Sequence, residues 1–234
     1  MKIQCFIFSW RGQYTNACAT EKSLKAAGQT VTVINSDPDN EPAHWVNLGD
    51  AAYFTQQWLA ACERFDADVM FHVQADATYH DWPAVFAAAQ EDFPKTNWGI
   101  YAPNVDYTWY DSTMSDVTGV KVSIPGVSMV SNPDCTCWFL HRDVIDKFRA
   151  LPWDWNFHQL GWGVDLIVCG YSYLLKRPIL RNYNHTVDHP RGTKYNSTQA
   201  EKEMVELFHR CDPAMQRVIL AIRNNKESLV EYLK

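Results

Sequence analysis

Apolar and polar residues fall in blocks along the first third of the chain. "KIQCFIF" is an apolar run of strand length, and the polar turn "SWRGQ" follows it. "YTNACATEKSLKAAG" then carries a helical pattern, with Gly28 in the position that closes a helix. "TVTVIN" is a second strand running into "SDPDNEP". "GDAAYFTQQWLAACERF" sets Ala51, Phe54, Trp58, Cys62 and Phe65 at helical spacing, and "DVMFHVQ" is a strand apolar enough to be covered on both faces. Strand and helix alternating in this way predict an α/β fold. Its central sheet should be mostly parallel and flanked by helices, with right-handed crossovers.

The pattern loosens in the middle. Beyond "WGIYAPN", positions 105–133 carry Tyr107, Trp109 and Tyr110 and then Thr, Ser, Gly and Val with little period, which predicts an irregular or antiparallel insertion. "CTCWFLH" is a strand, "RDVIDKFRAL" a short helix stopped before Pro152, and "RPILRN" the last strand. Between them "WDWNFHQLGWGVDLIVCGYSYLL" joins an aromatic, glycine-hinged loop to a buried helix from about Val164. From Ser197 the pattern is helical. Thr198 and Glu201 stand at capping-box spacing, and Asp212 caps a last helix with Pro213 at its first position. The expected organisation is one domain over 1–196 and a helical extension over 197–234 packed on it, with Met215, Val218, Ile219 and Ile222 facing inward.

Composition changes this picture little. The 234 residues suit a single large core, and a net charge of −6 argues against an all-over basic nucleic-acid footprint. Seven cysteines without paired spacing suit reduced thiols and a cytoplasmic location. No apolar run is long enough to cross a bilayer. Aromatic residues reach 14%, several of them in loops, which suits stacking against a sugar ring or a base. Cys135, Cys137 and His141 lack a second cysteine pair at zinc spacing and read as buried thiols; "GWGVDL" lacks the third glycine of a dinucleotide fingerprint.

In parallel α/β sheets, ligands bind beyond the carboxyl ends of the strands. That rule gathers the loops 9–13, 36–39 and 74–81, so Asp76 in "FHVQADATYHDW" stands where a site is expected. It could equally be a turn residue bonding its own backbone. Asp165 opens a helix after Gly161 and Gly163. His189 lies in "NHTVDHPRGTKYN", beside Arg191, Lys194 and Tyr195, a set suited to an anion.

The order of these motifs resembles the GT-A fold nucleotide-sugar glycosyltransferases, in particular the inverting, family-2-like members, over residues 2–195. The resemblance implies a Rossmann-like domain whose βαβ opening binds the nucleoside of a UDP-sugar. It also implies a strand-end acidic motif, here "QAD", that holds Mn²⁺ or Mg²⁺ on the diphosphate. Gln74 takes the first acidic position and Asp76 the second, so one carboxylate is missing. "GWGVD" places Asp165 at the position of the catalytic base, where Val164 replaces the family's usual glutamate, and "DHPRGTKY" supplies His189 as second metal ligand. Arg11, Asp37, Gln74, Arg191, Lys194 and Tyr195 are then expected around the donor. Tyr107, Trp109, Tyr110 and Trp162, with Trp153 and Trp155, are expected along the acceptor. The acceptor hydroxyl would belong to a saccharide, lipid-linked or free, or to a hydroxymethylated base of phage-type DNA. The alternative is a non-catalytic protein that keeps the fold and binds a sugar nucleotide or glycan.

Overall fold

The computed structural model describes residues 1–108, 110–190 and 196–234. Strands β1 (Ile3–Ser9), β2 (Thr30–Asn35), β3 (Val46–Asn47), β4 (Val69–Gln74), β5 (Ile100–Val105), β6 (Val127–Met129), β7 (Cys137–His141) and β8 (Ile179–Val187) form one sheet in the order β3-β2-β1-β4-β7-β5-β8-β6. β3, β2, β1 and β4 pair in parallel, and β7 enters antiparallel between β4 and β5. β8 lies parallel to β5, and β6 antiparallel to β8. Six strands therefore share a direction, and the mostly parallel α/β sheet expected from the pattern is the one observed.

Helices are α1 (Tyr14–Ala26), α2 (Phe54–Arg64), α3 (Trp82–Thr96), α4 (Ser112–Ser115), α5 (Arg142–Arg149), α6 (Val164–Leu174), α7 (Ser197–Arg210) and α8 (Pro213–Asn224). Successive side chains of a strand point to opposite faces. On β4, Phe71 meets Trp82 and Phe86 of α3, while His72 meets Phe54 and Trp58 of α2. With both faces covered, the central strands are buried along nearly their whole length, as their apolar runs require. Trp58 also touches Trp138 of β7 and Phe148 of α5, which places α2 and α5 in one layer.

Several elements depart from the pattern. The segment 82–96 is a full helix with Asp81 as cap and Pro83 in its first turn. The run "RPILRN" ends where β8 bulges: Pro103 pairs with Asn182 but Asn104 with Thr186, so β8 resumes to Val187 in a new register. Cys135 stands outside β7, which begins at Cys137. α7 is capped by Asn196, whose side chain accepts from the Gln199 amide; the expected Thr198 cap is inside the helix, since Asn caps as well and comes first. The insertion contains α4 and β6. Asp212 and Pro213 open α8 as expected, with Met215, Val218, Ile219 and Ile222 buried. No helix among the described residues is long and apolar enough to cross a membrane.

Candidate functional site

The carboxyl ends of the six like-directed strands make one edge, and Cys137 opposite Val73 brings the start of β7 to it. At the end of β4 the chain turns sharply, with the Ala77 amide on the Gln74 carbonyl, and Thr78 then exchanges two 2.9 Å backbone hydrogen bonds with Asp188. This small antiparallel bridge ties the loop after β4 to the exit of β8. The Asp106 carboxylate accepts from the His189 amide at 2.8 Å, fixing the next residue as well. Asp76 and His189, separated by most of the domain in sequence, thus meet with Nε2 3.8 Å from Oδ1, their side chains only 14% and 16% exposed respectively. His189 Nδ1 lies 3.4 Å from the Tyr107 carbonyl, which suits an Nδ1–H donor and leaves the Nε2 lone pair on the side of Asp76.

An imidazole nitrogen and a carboxylate oxygen bound side by side to one divalent cation at about 2.1 Å stand roughly 3.0 Å apart, so this pair would close by several tenths of an ångström to hold one. Among the described residues no group of three or more His, Cys, Asp or Glu is gathered as a metal site. A cation held by this pair would have to draw its other ligands from outside these two side chains, as Mg²⁺ and Mn²⁺ do when they keep water and phosphate oxygens. Gln74 ends β4 at the same edge, half-buried.

Asp165 has a different setting. Gly163 caps α6 at φ +95°, and Gly161, at φ +90°, lies so close to the Phe54 ring that a Cβ would sit 2.5 Å from it; both positions need glycine. The sharp turn presents Asp165 in the first turn of α6, buried. Asn132 Nδ2 donates to Oδ2 at 2.9 Å, and the Gly163 amide donates to Oδ1 at 3.2 Å. Burial pushes this carboxyl above the usual range and the nearby Asp134 adds to it, while Asn132 and the Leu166 and Gly163 amides pull back without cancelling the rise. The Tyr110 phenol is pushed up in turn, first by the charge of Asp165 and then by burial. Asp165 is thus a buried carboxylate whose proton affinity is raised, at the start of α6.

The loop before α6 is braced from two sides. His158 is buried between the Thr55 hydroxyl, 2.8 Å from Nδ1, and the Trp162 carbonyl, 3.0 Å from Nε2. Glu203 of α7 accepts from the Gln159 and Leu160 amides at 2.9 and 2.8 Å. Trp162 stands in the turn between Gly161 and Gly163, its carbonyl held by His158.

The loops after β1 and β2 are polar and satisfy their own hydrogen bonds. Both carboxylate oxygens of the buried Asp37 are used locally, one by the Asp39 amide at 3.0 Å and the other by Asn40 Nδ2 at 2.9 Å. Arg11 reaches Asp39 at 3.0 Å and Asp50 at 3.5 Å across the neighbouring loops. Tyr107 and Tyr110 stand at the edge beside His189 and Asp165 respectively. Trp153 and Trp155 do not: together with Leu59, Cys62, Phe148 and Arg149 they line a cavity of about 260 Å³ between α2 and α5, because the loop folds back onto α5. Trp109, Arg191, Lys194 and Tyr195 lie outside the described residues.

Sequence reasoning missed Asn132, Asp134 and Asp106. The turn signature "NPD" ahead of β7 was the available signal, and its relevance depends on β7 running antiparallel, which delivers its start to the edge where β4 ends.

No family model matches the chain, and no curated protein matches it. Solved structures do resemble it in fold. S. aureus TarS 1–349 in complex with UDP-GlcNAc superposes with a TM-score of 0.57 at 11% identity, over 100% of this chain and 70% of that one. A UDP-glucose pyrophosphorylase complexed with UDP-glucose gives 0.50 at 9% identity, over 89% and 100%. A putative glucose-1-phosphate thymidylyltransferase from Bacillus anthracis gives 0.50 at 12%, over 95% and 96%. The chain is similar to these in its α/β fold.

Proposed function

We propose that this protein is an inverting glycosyltransferase that moves a sugar from a nucleoside-diphosphate donor, a UDP-sugar, to an acceptor hydroxyl. The observation that supports this reading is the contact of Asp76 with His189 at the exits of β4 and β8, together with the buried Asp165 at the start of α6, in a fold similar to that of TarS. The acceptor oxygen attacks the anomeric carbon as the bond from that carbon to the phosphate oxygen breaks. The hydroxyl proton passes to Asp165, and the bonding electrons leave on the nucleoside diphosphate. Attack from the face opposite the leaving group inverts the anomeric centre. Asp76 Oδ1 and His189 Nε2 would hold Mn²⁺ or Mg²⁺, which when bound supplies Lewis-acid stabilisation to the diphosphate oxygens. Arg11 and Asp37 belong to the loops that would frame the nucleoside; Arg191, Lys194 and Tyr195 would flank the diphosphate, and Gln74 would face the ribose. Tyr107, Trp109, Tyr110 and Trp162 would line the acceptor, a saccharide or a hydroxymethylated DNA base. Steeply salt-dependent binding to duplex DNA supports the base, and its absence at low salt the saccharide.

A second reading, a non-catalytic binder of sugar nucleotides, is favoured by Gln74 in place of a carboxylate and by a metal pair that lacks a third protein ligand among the described residues. One experiment separates the two. Thermal shift with a panel of nucleotide sugars, with and without Mn²⁺, reads binding: a donor at 100 times its Kd adds about 2.7 kcal/mol. Donor turnover in the same samples reads catalysis. Stabilisation with slow hydrolysis supports the transferase, stabilisation without any hydrolysis or transfer supports the binder, and no stabilisation by any nucleotide sugar defeats both.

A further inference from the structure

Asn132 lies in the interior, fully buried, in the crossing that leads from β6 to β7. Its side chain is gripped at both ends by one face of α6. Asp165 and Cys169 stand four residues apart there and so point the same way. Nδ2 donates to Asp165 Oδ2 at 2.9 Å, and Oδ1 receives the Cys169 thiol at 3.5 Å. Because a thiol donates and a carboxylate accepts, the two contacts agree on a single amide orientation. The backbone is pinned too: the Ser131 amide bonds the Ser115 carbonyl at 2.7 Å, and the buried Arg181 directs Nη2 to the Asn132 carbonyl at 3.4 Å.

We infer that Asn132 is the positioning residue of Asp165, a neutral donor clasped between Asp165 and Cys169 that holds the carboxylate in one rotamer and keeps it ionised in a buried site. The inference rests on the reading of Asp165 as the general base. The choice of an amide follows from what else faces this carboxylate: Tyr110 from the insertion, Asp134 and Cys135 from the loop before β7, and Cys169 from α6. With an acid and weakly acidic groups around it, the carboxylate needs a donor to stay charged. A lysine or arginine at position 132 would pair with it and strip its basicity, and a second carboxylate would compete for its proton. Asparagine donates without adding charge.

The test uses the full chain with Asn132→Asp, which keeps the side-chain size, and Cys169→Ala and Cys169→Ser as milder variants. Two readouts are followed: the acid limb of kcat/KM against pH, and titration of the Asp165 carboxyl by ¹³C NMR, assigned with Asp165→Asn. Asn132→Asp is expected to move both upward by about one pH unit or more, with the donor KM unchanged. Cys169→Ala should move them a smaller distance in the same direction, and Cys169→Ser should leave them in place. If both readouts stay unmoved in Asn132→Asp and Cys169→Ala, the inference is overturned. Near-normal turnover of Asp165→Asn would instead overturn the base reading, and the NMR titration would still decide whether Asn132 tunes that carboxyl.

Discussion

The parallel half of the sheet, β3-β2-β1-β4, and the mixed half, β7-β5-β8-β6, meet between β4 and β7 and are built differently. In the parallel half β1, β2 and β4 are short, largely apolar runs, α2 and α3 cover opposite faces of β4, and the polar loops at the edge largely bond to themselves, as at Asp37 and Arg11. In the mixed half the chain arrives from scattered places. Asn132 meets Asp165 across 33 residues, and Thr78 of the seam is bridged to Asp188. The buried Asp165 and the His189 ring come from the mixed half, while the parallel half supplies the frame and the partner of His189, Asp76. A repetitive framework next to an irregular insertion lets the stable part of a fold and its reactive part be varied separately.

Substitutions on the two sides put that contrast at risk, and the largest effect is expected at Asp165. Asp165→Asn should lower kcat by about 10²–10⁴-fold, the usual contribution of a general base, while leaving donor affinity by calorimetry within a few-fold. At the seam, Asp76→Asn and His189→Ala should each weaken donor and Mn²⁺ binding together by about 10–100-fold, and the double variant should lose little more than either single one, because the pair acts as a unit. Additive losses in that cycle would mean the two side chains do separate jobs.

In the parallel half the expected effects are on stability. His72 is buried between Phe8, Phe54 and Trp58, and burial pushes its imidazole down to about 3, with the Cys135 backbone compensating only in part. The unfolded chain binds a proton on His72 near pH 6.5 and the folded chain does not. Stability on this account is complete above pH 6.5 and is lost as pH falls toward 3, at about 1.4 kcal/mol per pH unit. His72→Phe should remove that slope between pH 6 and pH 4 in urea titrations, with turnover at neutral pH little changed. The smallest effect is expected at Asp37: alanine there should cost about 1 kcal/mol through the two lost turn hydrogen bonds, read as a lower Tm, and loosen the loop enough to raise the donor KM a few-fold, with kcat at saturating donor preserved. A fall in kcat at Asp37→Ala comparable to that at Asp165→Asn would erase the division between the halves.

Much of the parallel half could be read from the chain. β1, β2 and β4 and helices α1 and α2 follow from blocks of apolar residues and from Gly28, since periodicity and caps are local properties. The last helix was equally plain from Asp212 and Pro213. In the mixed half the same reasoning found a glycine hinge ahead of Asp165 and a polar exit at His189, but not the bulge that carries β8 on to Val187, nor the cap at Asn196. It assigned Trp153 and Trp155 to the acceptor edge, whereas their faces pack toward Phe148. Aromatic residues in a loop look alike in sequence whether they await a ligand or seal a core.

By itself, then, the sequence determined an α/β chain with a mostly parallel sheet, an acid at the exit of β4 and another in the first turn of α6, because hydrophobic period and turn chemistry act over a few residues. Only the tertiary structure decided that β7 runs backward and brings Asn132 and Asp134 to the edge, that the Thr78–Asp188 bridge sets His189 against Asp76, and that Asp165 is buried enough to have its proton affinity raised. Strand direction, long-range bridging and desolvation depend on which distant segments come to lie together, and no local pattern carries that information.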